Sequence, residues 1–275
     1  MTIDIAKLES LDVLGTLKQQ YIDQATAPLD GMWLCGFVPL AAHFGFYVNE
    51  QLVGYCCVDE QGHLLQFYLS PIHQHQSAAL FEAMLRQQHS AMGKISGAFV
   101  STAEPQFLSL CLDHFPTFKV NALMYQRDNL SENSNRQSSE ETLPLTPITS
   151  EQLSEAIQFA HTAIGAPESW LASYYGNLIA RQELLGLWRA GQLIATGEIR
   201  GYDQYQTSYA DLGVIVAEPE RGQGLATQIL KQLATQTEAQ GLKPICSTEA
   251  TNIAAQKAIA HAGFFAGNRI IQFEC

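Results

Sequence analysis

The residues most able to do chemistry form a glycine-containing turn between a predicted strand and a predicted helix. Residues 209–216 are apolar enough for a strand buried on both faces, and residues 224–240 have the pattern of a helix. The first amides of a helix lack internal partners and lie at the positive end of its dipole. Gly222 and Gly224 let the backbone approach a ligand closely. The spacing therefore predicts a diphosphate cradle built from backbone amides.

A short motif with two glycines is also compatible with an ordinary turn between a strand and a helix. The turn is not a Walker loop, because no Gly-Lys-Ser/Thr follows it, and it lacks the G-x-G-x-x-G of a dinucleotide site. The anion-binding interpretation therefore depends on support from elsewhere in the chain.

A second motif downstream supplies that support. The turn reads Arg221, Gly222, Gln223, Gly224, Leu225, Ala226 and Thr227, which fits the pattern R/Q-x-x-G-x-G/A. Asn252, Ala255, Gly263 and Phe264 then fit a pattern of Asn, Ala three residues on, and Gly-Phe. Together, over roughly Leu143 to Cys275, these motifs resemble the two signatures of the GNAT superfamily of acyl-CoA-dependent N-acyltransferases.

The resemblance implies acetyl-CoA as co-substrate, no metal, and a small-molecule or peptide amine as acceptor. The backbone amides of residues 221–227 would hold the diphosphate, and Asn252 would contact the cofactor. The pantetheine arm would pair with the backbone of Val214, Ile215 and Val216 like an added strand. In the family this happens where the fourth strand splays from the fifth, here Pro244 to Ser247.

Transfer of an acyl group to an amine also requires groups that move protons. Asp211 is the candidate general base, because several family members place a Glu at the start of the fourth strand; an ordinary strand-end acid is the alternative. The Tyr that usually protonates the thiolate is replaced by Ile259. His261 lies about 200° around the helix and should face away. Tyr209 or a water is the remaining candidate acid.

The two halves of the chain follow the same order of predicted elements. Ser101-Thr102 corresponds to Ser247-Thr248, and Gln74 corresponds to Arg221, at offsets that agree to within one residue. We therefore predict an α/β (α+β) protein of two GNAT-like domains, each a mixed, mostly antiparallel sheet flanked by helices. The predicted boundaries are 1–128 and 145–275. Between them, residues 129–144 are almost devoid of apolar side chains and are predicted to be a linker.

The N-terminal copy lacks the glycine pair of the cradle. Ser77 stands where the loop needs Gly, and no counterpart of Asn252 is visible. This predicts a degenerate domain that has lost CoA binding, although an active domain with a different loop is the competing interpretation. His73 and His75 lack a third ligand nearby, so a metal site is not predicted.

Composition excludes some classes of function. The 275 residues carry 15 Lys and Arg against 27 Asp and Glu, a net charge of −12, which argues against nucleic-acid binding. The longest apolar stretch, Met32 to Ala42, has 11 residues and cannot span a bilayer. The N-terminal residues do not resemble a signal peptide, and no cysteines have C-x-x-C spacing. A cytoplasmic protein without a membrane partner is expected, and a homodimer is left open.

The sequence thus predicts an acetyl-CoA-dependent N-acetyltransferase in which the C-terminal domain carries the reaction. Direct attack of a primary amine in a ternary complex is the expected mechanism. The alternative, from a different class, is a non-catalytic acyl-CoA-binding or scaffold protein. The absence of a Tyr at position 259 favours that alternative. A different acyl group is also open.

Overall fold

The computed structural model describes residues 3–86, 92–127 and 142–275, which form two compact units. Unit 1 comprises Met1–Met124 and Asn268–Cys275, and unit 2 comprises Tyr125–Gly267. Most of the predicted linker lies outside the described residues. The strands are β1 (Asp4–Lys7), β2 (Ala42–Val48), β3 (Gln51–Val58), β4 (His63–Leu69), β5 (Gly97–Ser101), β6 (Thr117–Arg127), β7 (Thr146–Pro147), β8 (Leu184–Arg189), β9 (Gln192–Gly201), β10 (Tyr209–Val216), β11 (Lys243–Glu249) and β12 (Phe264–Glu274). The helices are α1 (Gly15–Gln24), α2 (Ser77–Leu85), α3 (Pro105–His114), α4 (Leu153–Ile164), α5 (Glu168–Ala180), α6 (Leu225–Ala239) and α7 (Ile253–His261).

Unit 1 is a sheet with helices on both faces. Its strands follow the order β1-β2-β3-β4-β5-β12-β6. Neighbours from β1 to β4 are antiparallel, whereas β4 and β5 are parallel. Phe67, Phe81 and Phe107 join β4 to α2 and α3 in the main core. Tyr55 and Tyr68 belong to a second cluster, with α1.

Unit 2 has the strand order β11-β10-β9-β8-β7, in which only the β10–β11 pair is parallel. Residues of α4 and α5 pack in one core with β8 and β9. On the other side, α6 lies against β9, β10 and β11, and a Cβ at Gly197 would meet Leu233 and Ile229 of α6 at 3.1–3.3 Å. Gly197 therefore sets how closely α6 approaches the sheet.

These sheets confirm the predicted fold class of mixed, mostly antiparallel α/β domains flanked by helices. A capping box precedes α4, in which the side chains of Thr149 and Gln152 bond reciprocally to the backbone. Strand β10 has the predicted bounds. Two features have no clear signal in the sequence, namely β1, a four-residue strand, and the π-helical turn Trp33–Phe37.

The last strand packs in the first unit, although sequence order placed it with the second domain. In β12, Ile270 to Glu274 pairs antiparallel with Ser101 to Gly97 of β5. Phe273 is fully buried, and its ring lies 5.9 Å from that of Phe115. Residues 268–275, predicted as part of the domain 145–275, therefore belong to unit 1. Pairing with β5, and not proximity in sequence, decides which sheet this strand joins.

Candidate active site

The turn between β10 and α6 has a backbone that favours glycine at two positions. One 3₁₀ turn, Glu218–Glu220, follows β10, and then Gly222 and Gly224 adopt φ values of +77° and +82°. A Cβ added at either glycine would meet no atom within 4 Å. Glycine is therefore favoured by the left-handed backbone and not by crowding, and open space lies in front of the turn.

The amides of this turn are free to bind a ligand. Helix α6 begins at Leu225 with Gly224 as its N-cap and has no side-chain cap. The first amide with a backbone acceptor is that of Gln228, which donates to the carbonyl of Gly224 at 3.1 Å. Among the described residues, no acceptor is found for the amides of residues 222–227. Six donors at the positive end of a 15-residue helix form an anion-binding geometry.

A gap opens between the two parallel strands beside this turn. Strand β10 pairs with β11 only from Tyr209–Lys243 to Asp211–Ile245. Both strands then continue, β10 to Val216 and β11 to Glu249, without pairing to each other. The pairing of β10 with β9 continues unbroken to Val216. The splay expected between these strands is therefore present, and its closed end lies at Asp211.

Two residues of β10 direct backbone groups into the gap. The amide of Lys243 donates to the carbonyl of Ser208, so the even-numbered residues of β10 face β11 and the odd-numbered ones face β9. Val214 and Val216 therefore present their backbone to the gap. Ile215 faces β9 instead, opposite Thr196, and its side chain packs on the core of α4 and α5.

The side chain of Arg221 is held by the protein itself. Its Nε donates to the carbonyl of Val216 at 3.0 Å, and its Nη2 donates to the carbonyl of Ala163 at 2.7 Å. Similarly, the hydroxyl of Thr227 donates to the carbonyl of Ala258. These side chains fix the turn against β10, α4 and α7, which leaves backbone amides as the groups facing solvent.

Asn252 is the N-cap of α7. Its Oδ1 accepts a hydrogen bond from the amide of Ala255 at 3.1 Å, and the residue is exposed. The carbonyl oxygen is thus committed to the helix, while the side-chain NH₂ remains free to donate.

Asp211 belongs to a buried cluster of charged and polar side chains. Its Oδ2 lies 2.9 Å from Nη2 of Arg200, and Nη1 of Arg200 lies 2.6 Å from Oε2 of Glu198. The hydroxyl of Tyr174 donates to Oε2 of Glu198 at 2.7 Å. Asp211 is only 1% exposed and Glu198 only 4%. Two carboxylates therefore share one guanidinium, and the alternative of a surface acid at position 211 is wrong.

Sequence reasoning missed the partners of Asp211. Arg200 and Glu198 lie on β9, and the antiparallel register sets them opposite Asp211 and Gly213. A Cβ at Gly213 would meet the Glu198 carboxylate at 3.0 Å, so the glycine makes room for it. Burial, with the nearby charge of Glu198, raises the pKa of Tyr174 well above its usual range. The alternation Glu198-x-Arg200 on one strand face was the available signal.

The remaining candidates lie as follows. Tyr209 begins β10, and the ammonium of Lys243 lies 5.6 Å from its ring centroid. Ile259 is buried in α7, and His261 at the end of the same helix is exposed. The buried side chain at position 259 is therefore apolar and cannot protonate the thiolate.

Comparison with known proteins identifies the fold seen in both units. Residues 10–128 match the model of an acetyltransferase (GNAT) domain, and residues 149–264 match that of the acetyltransferase (GNAT) family. A solved acetyltransferase of the GNAT family from Colwellia psychrerythraea is 52% identical, with a TM-score of 0.92 over 98% of this chain and 99% of that one. The chain belongs to the GNAT acetyltransferase family. Two GNAT domains in tandem, and an N-acetyltransferase of this type, are as predicted.

More distant GNAT structures share the fold. A tandem GNAT protein from the clavulanic acid biosynthesis pathway is 14% identical, with a TM-score of 0.63 over 98% of both chains. A GCN5-related N-acetyltransferase from Sphaerobacter thermophilus is 13% identical, with a TM-score of 0.63 over 98% of this chain and 94% of that one. No curated protein matches the sequence. GNAT acetyltransferases use acetyl-CoA and act on small-molecule or peptide amines.

The described ranges contain neither a cluster of metal ligands nor a membrane-spanning helix. No group of three or more His, Cys, Asp or Glu side chains there is placed to hold a metal ion. None of the described helices is long and apolar enough to cross a membrane.

Proposed function

We propose that unit 2 transfers an acetyl group from acetyl-CoA to a primary amine by direct attack in a ternary complex. The row of partnerless amides at residues 222–227 carries this proposal. These amides lie at a helix N-terminus, and open space surrounds the Cβ positions of Gly222 and Gly224, so the turn suits a diphosphate whatever the net charge of the protein. The co-substrate supplies the activated acetyl group, and the residues of unit 2 bind it, orient it and move the proton.

The gap between β10 and β11 gives the rest of the co-substrate a path. Val214 and Val216 present backbone groups to the gap, and the exposed NH₂ of Asn252 is free to contact it from α7. Asp211, at the closed end of the gap, lies five residues from Val216, roughly 17 Å along the strand. A chain extended from the turn along β10 therefore ends near Asp211.

Asp211 is the proton acceptor in this proposal. With Glu198 and Arg200 it forms a cluster of two negative charges and one positive charge, whose excess negative charge attracts an ammonium. One proton moves from the ammonium to the carboxylate, and the neutral amine nitrogen bonds to the acetyl carbon. The C–S bond then breaks, its electron pair leaves with the thiolate, and the nitrogen loses its second proton to solvent as the amide forms. The thiolate receives a proton from Tyr209 or from solvent.

Unit 1 lacks the corresponding cradle. Its equivalent segment, Pro71–Gln76, is 3₁₀-helical and runs directly into α2 at Ser77. None of the residues 70–77 has a positive φ. The amides of this segment therefore turn inward along a helix, which supports one acetyl-CoA per chain, bound by unit 2.

Two matched substitutions test the proposal by calorimetry with acetyl-CoA. Gly224→Glu sets a negative charge and a strained φ in the cradle, so binding is expected to fall by at least a hundredfold. Ser77→Glu makes the same change in charge in unit 1 and should leave binding unchanged, with one site per chain. Loss of binding in Ser77→Glu alone, or two sites per chain, would show that unit 1 binds the co-substrate.

A further inference from the structure

Three polar side chains beside Asp211 move no proton in the proposed acetyl transfer. Tyr174 lies on α5, whereas Glu198 and Arg200 lie on β9. Arg200 contacts Asp211 through Nη2, which lies 2.9 Å from Oδ2. Its Nη1 donates to the hydroxyl of Tyr174 at 2.7 Å and to Oε2 of Glu198 at 2.6 Å. The guanidinium therefore connects Asp211 to two groups on its other side.

The orientation of the Arg200 guanidinium depends on its two terminal nitrogens. Its Nε is buried and, among the described residues, has no hydrogen-bond partner. The guanidinium is planar and rigid, so a displacement of Nη1 also displaces Nη2. The partners of Nη1 therefore determine where Nη2 meets Asp211.

Tyr174 is a fixed hydrogen-bonding partner of this group. Its hydroxyl accepts a hydrogen bond from Nη1 of Arg200 and donates one to Oε2 of Glu198 at 2.7 Å. Burial, together with the nearby charge of Glu198, raises the pKa of Tyr174 well above its usual range. The hydroxyl therefore keeps its proton and acts as a hydrogen-bond donor, not as a proton carrier. Glu198 is only 4% exposed, and a buried carboxylate requires such donors.

Helix α5 holds the Tyr174 ring in place. Leu171, Tyr175 and Leu178 of the same helix are buried in the core that α5 shares with β8 and β9. The indole of Trp170 stacks on the Tyr174 ring, with the ring centroids 4.6 Å apart and the planes 16° from parallel. The position of the hydroxyl is thus set by a packed helix and by a neighbouring ring.

Strand β10 limits the movement of the same group from the other side. A Cβ at Gly213 would lie 3.0 Å from Oε2 of Glu198 and 3.3 Å from Nη1 of Arg200. These two atoms are therefore enclosed between Gly213 and the hydroxyl of Tyr174.

We propose that Tyr174 is a positioning residue for the acetyl transfer, an inference that rests on the function proposed for unit 2. Its hydroxyl fixes Nη1 of Arg200, and the rigid guanidinium then fixes the carboxylate of Asp211. Tyr174 itself transfers no proton. Without the hydroxyl, Nη1 retains Glu198 as its partner and turns towards it, which draws Nη2 away from Asp211.

Crystal structures of two variants of the full chain test this geometry. Tyr174→Phe keeps the ring and removes only the hydroxyl. We expect the distance from Nη2 of Arg200 to Oδ2 of Asp211 to exceed about 3.5 Å in this variant, beyond a hydrogen bond. The control is Tyr175→Phe, because within the described ranges the hydroxyl of Tyr175 has no hydrogen bond to Arg200 or Glu198. The control should keep the contact with Asp211.

The kinetic test compares two probe amines in the release of CoA thiol from acetyl-CoA. At pH 7 n-butylamine is almost wholly protonated, whereas methoxyamine is almost wholly neutral. A displaced base slows the reaction in which a proton is removed before attack, so kcat with n-butylamine should fall about tenfold in Tyr174→Phe and kcat with methoxyamine less than about twofold. The KM for acetyl-CoA should not change, since the turn at residues 221–227 is untouched.

Gly213→Ala provides a second, independent perturbation. The added methyl group displaces Nη1 of Arg200 without touching Tyr174, so it should produce the same difference between the two amines. If Tyr174→Phe does not fold, this variant still tests whether Nη1 sets the contact with Asp211.

Three results would overturn the proposal. They are an unchanged contact of Arg200 with Asp211 in Tyr174→Phe, equal slowing of both amines, and the same losses in Tyr175→Phe, which would assign the effect to the packing of α5. If the wild type releases no thiol with either amine, the proposed function fails, whereas the crystal structures still decide whether Tyr174 positions Asp211.

Discussion

At the scale of single residues, the buried cluster around Arg200 decides what Asp211 is able to do. The guanidinium forms ion pairs with both Asp211 and Glu198, and the two carboxylates outnumber the single positive charge. A carboxylate held in this way is fixed in position before the amine arrives. Positioning and charge, rather than a neutral acid waiting for its proton, are the contributions that this arrangement suits.

Asp211→Asn tests this role. The amide keeps the size of the side chain but cannot accept the proton, so kcat should fall by about 10²-fold or more. The affinity for acetyl-CoA should remain unchanged, because the amide cradle is intact. The readout is the pH dependence of kcat/KM, which should lose its acidic limb.

Asp113→Asn is the matched control, since Asp113 is exposed on α3 of unit 1. A full rate with an unaltered pH profile in Asp211→Asn would show that Asp211 only supports Arg200. Thermal unfolding of both variants separates that structural effect from the loss of a base.

Glu104 gives unit 1 a stability that depends on pH. Its pKa is about 8 in the folded protein and near 4.5 when exposed, so the folded state binds more protons between these values. Stability from this group is therefore complete below about pH 4.5 and is lost as the pH rises to about 8, by up to about 1.4 kcal/mol per pH unit.

Chemical denaturation of the wild type and of Glu104→Gln between pH 5 and pH 9 measures this effect. The variant should show a flatter dependence of the free energy of unfolding on pH. Parallel curves for the two proteins would mean that Glu104 ionises normally.

At the scale of elements, the chemistry of each strand-to-helix turn depends on how the N-terminus of the following helix is capped. In unit 2, α6 begins with a left-handed glycine and no side-chain cap, so its amides stay open to solvent. Helix α7 begins with Asn252, whose oxygen satisfies one amide. Helix α3 of unit 1 begins after Glu104, whose carboxyl turns inward to Tyr21 and Ser101. The N-termini of these three helices thus differ in whether their amides are open to solvent or satisfied by a side chain.

Asn252→Ala and Asn252→Ser separate capping from ligand contact. The alanine variant loses the cap on Ala255 and should lose about 1 kcal/mol of stability, whereas serine caps and should retain it. Both variants lack the side-chain NH₂, so both should bind acetyl-CoA more weakly. Calorimetry and urea denaturation measure the two effects. Normal affinity in Asn252→Ser would limit the residue to its capping role.

Most of these elements could be predicted from the sequence, because their signals are local. The apolar run of β10, the capping box at Thr149 and the left-handed glycines are each set by residues within a few positions. The ion pair of Asp211 with Arg200 could not be predicted in this way. It depends on the register of β9 against β10, which hydrogen bonds across the sheet decide.

At the scale of the whole molecule, the final strand stabilises the N-terminal unit. Phe273 lies in the core of unit 1 beside Phe115 and Phe118, more than 150 residues away in sequence. The C-terminal residues therefore affect the stability of unit 1, although the family match of unit 2 ends at residue 264.

Phe273→Ala tests this dependence. Removing a fully buried ring should lower the free energy of unfolding by about 3–5 kcal/mol. Limited proteolysis should then cut first within residues 3–124. Phe265→Ala, on the same strand but 50% exposed, is the control and should cost much less. Initial cleavage within residues 150–260 would contradict the assignment of this strand to unit 1.

The sequence alone determined the presence of two related α/β halves, the family of the C-terminal half and the glycines of its phosphate turn. Those features follow from periodicity and from backbone preferences that each residue expresses locally. Only the tertiary structure decided that β12 belongs to unit 1, that Asp211 is paired with Arg200, and that Tyr174 contacts Arg200 and Glu198. Each of these depends on contacts between residues distant in sequence, and burial then sets their charge and their hydrogen bonding.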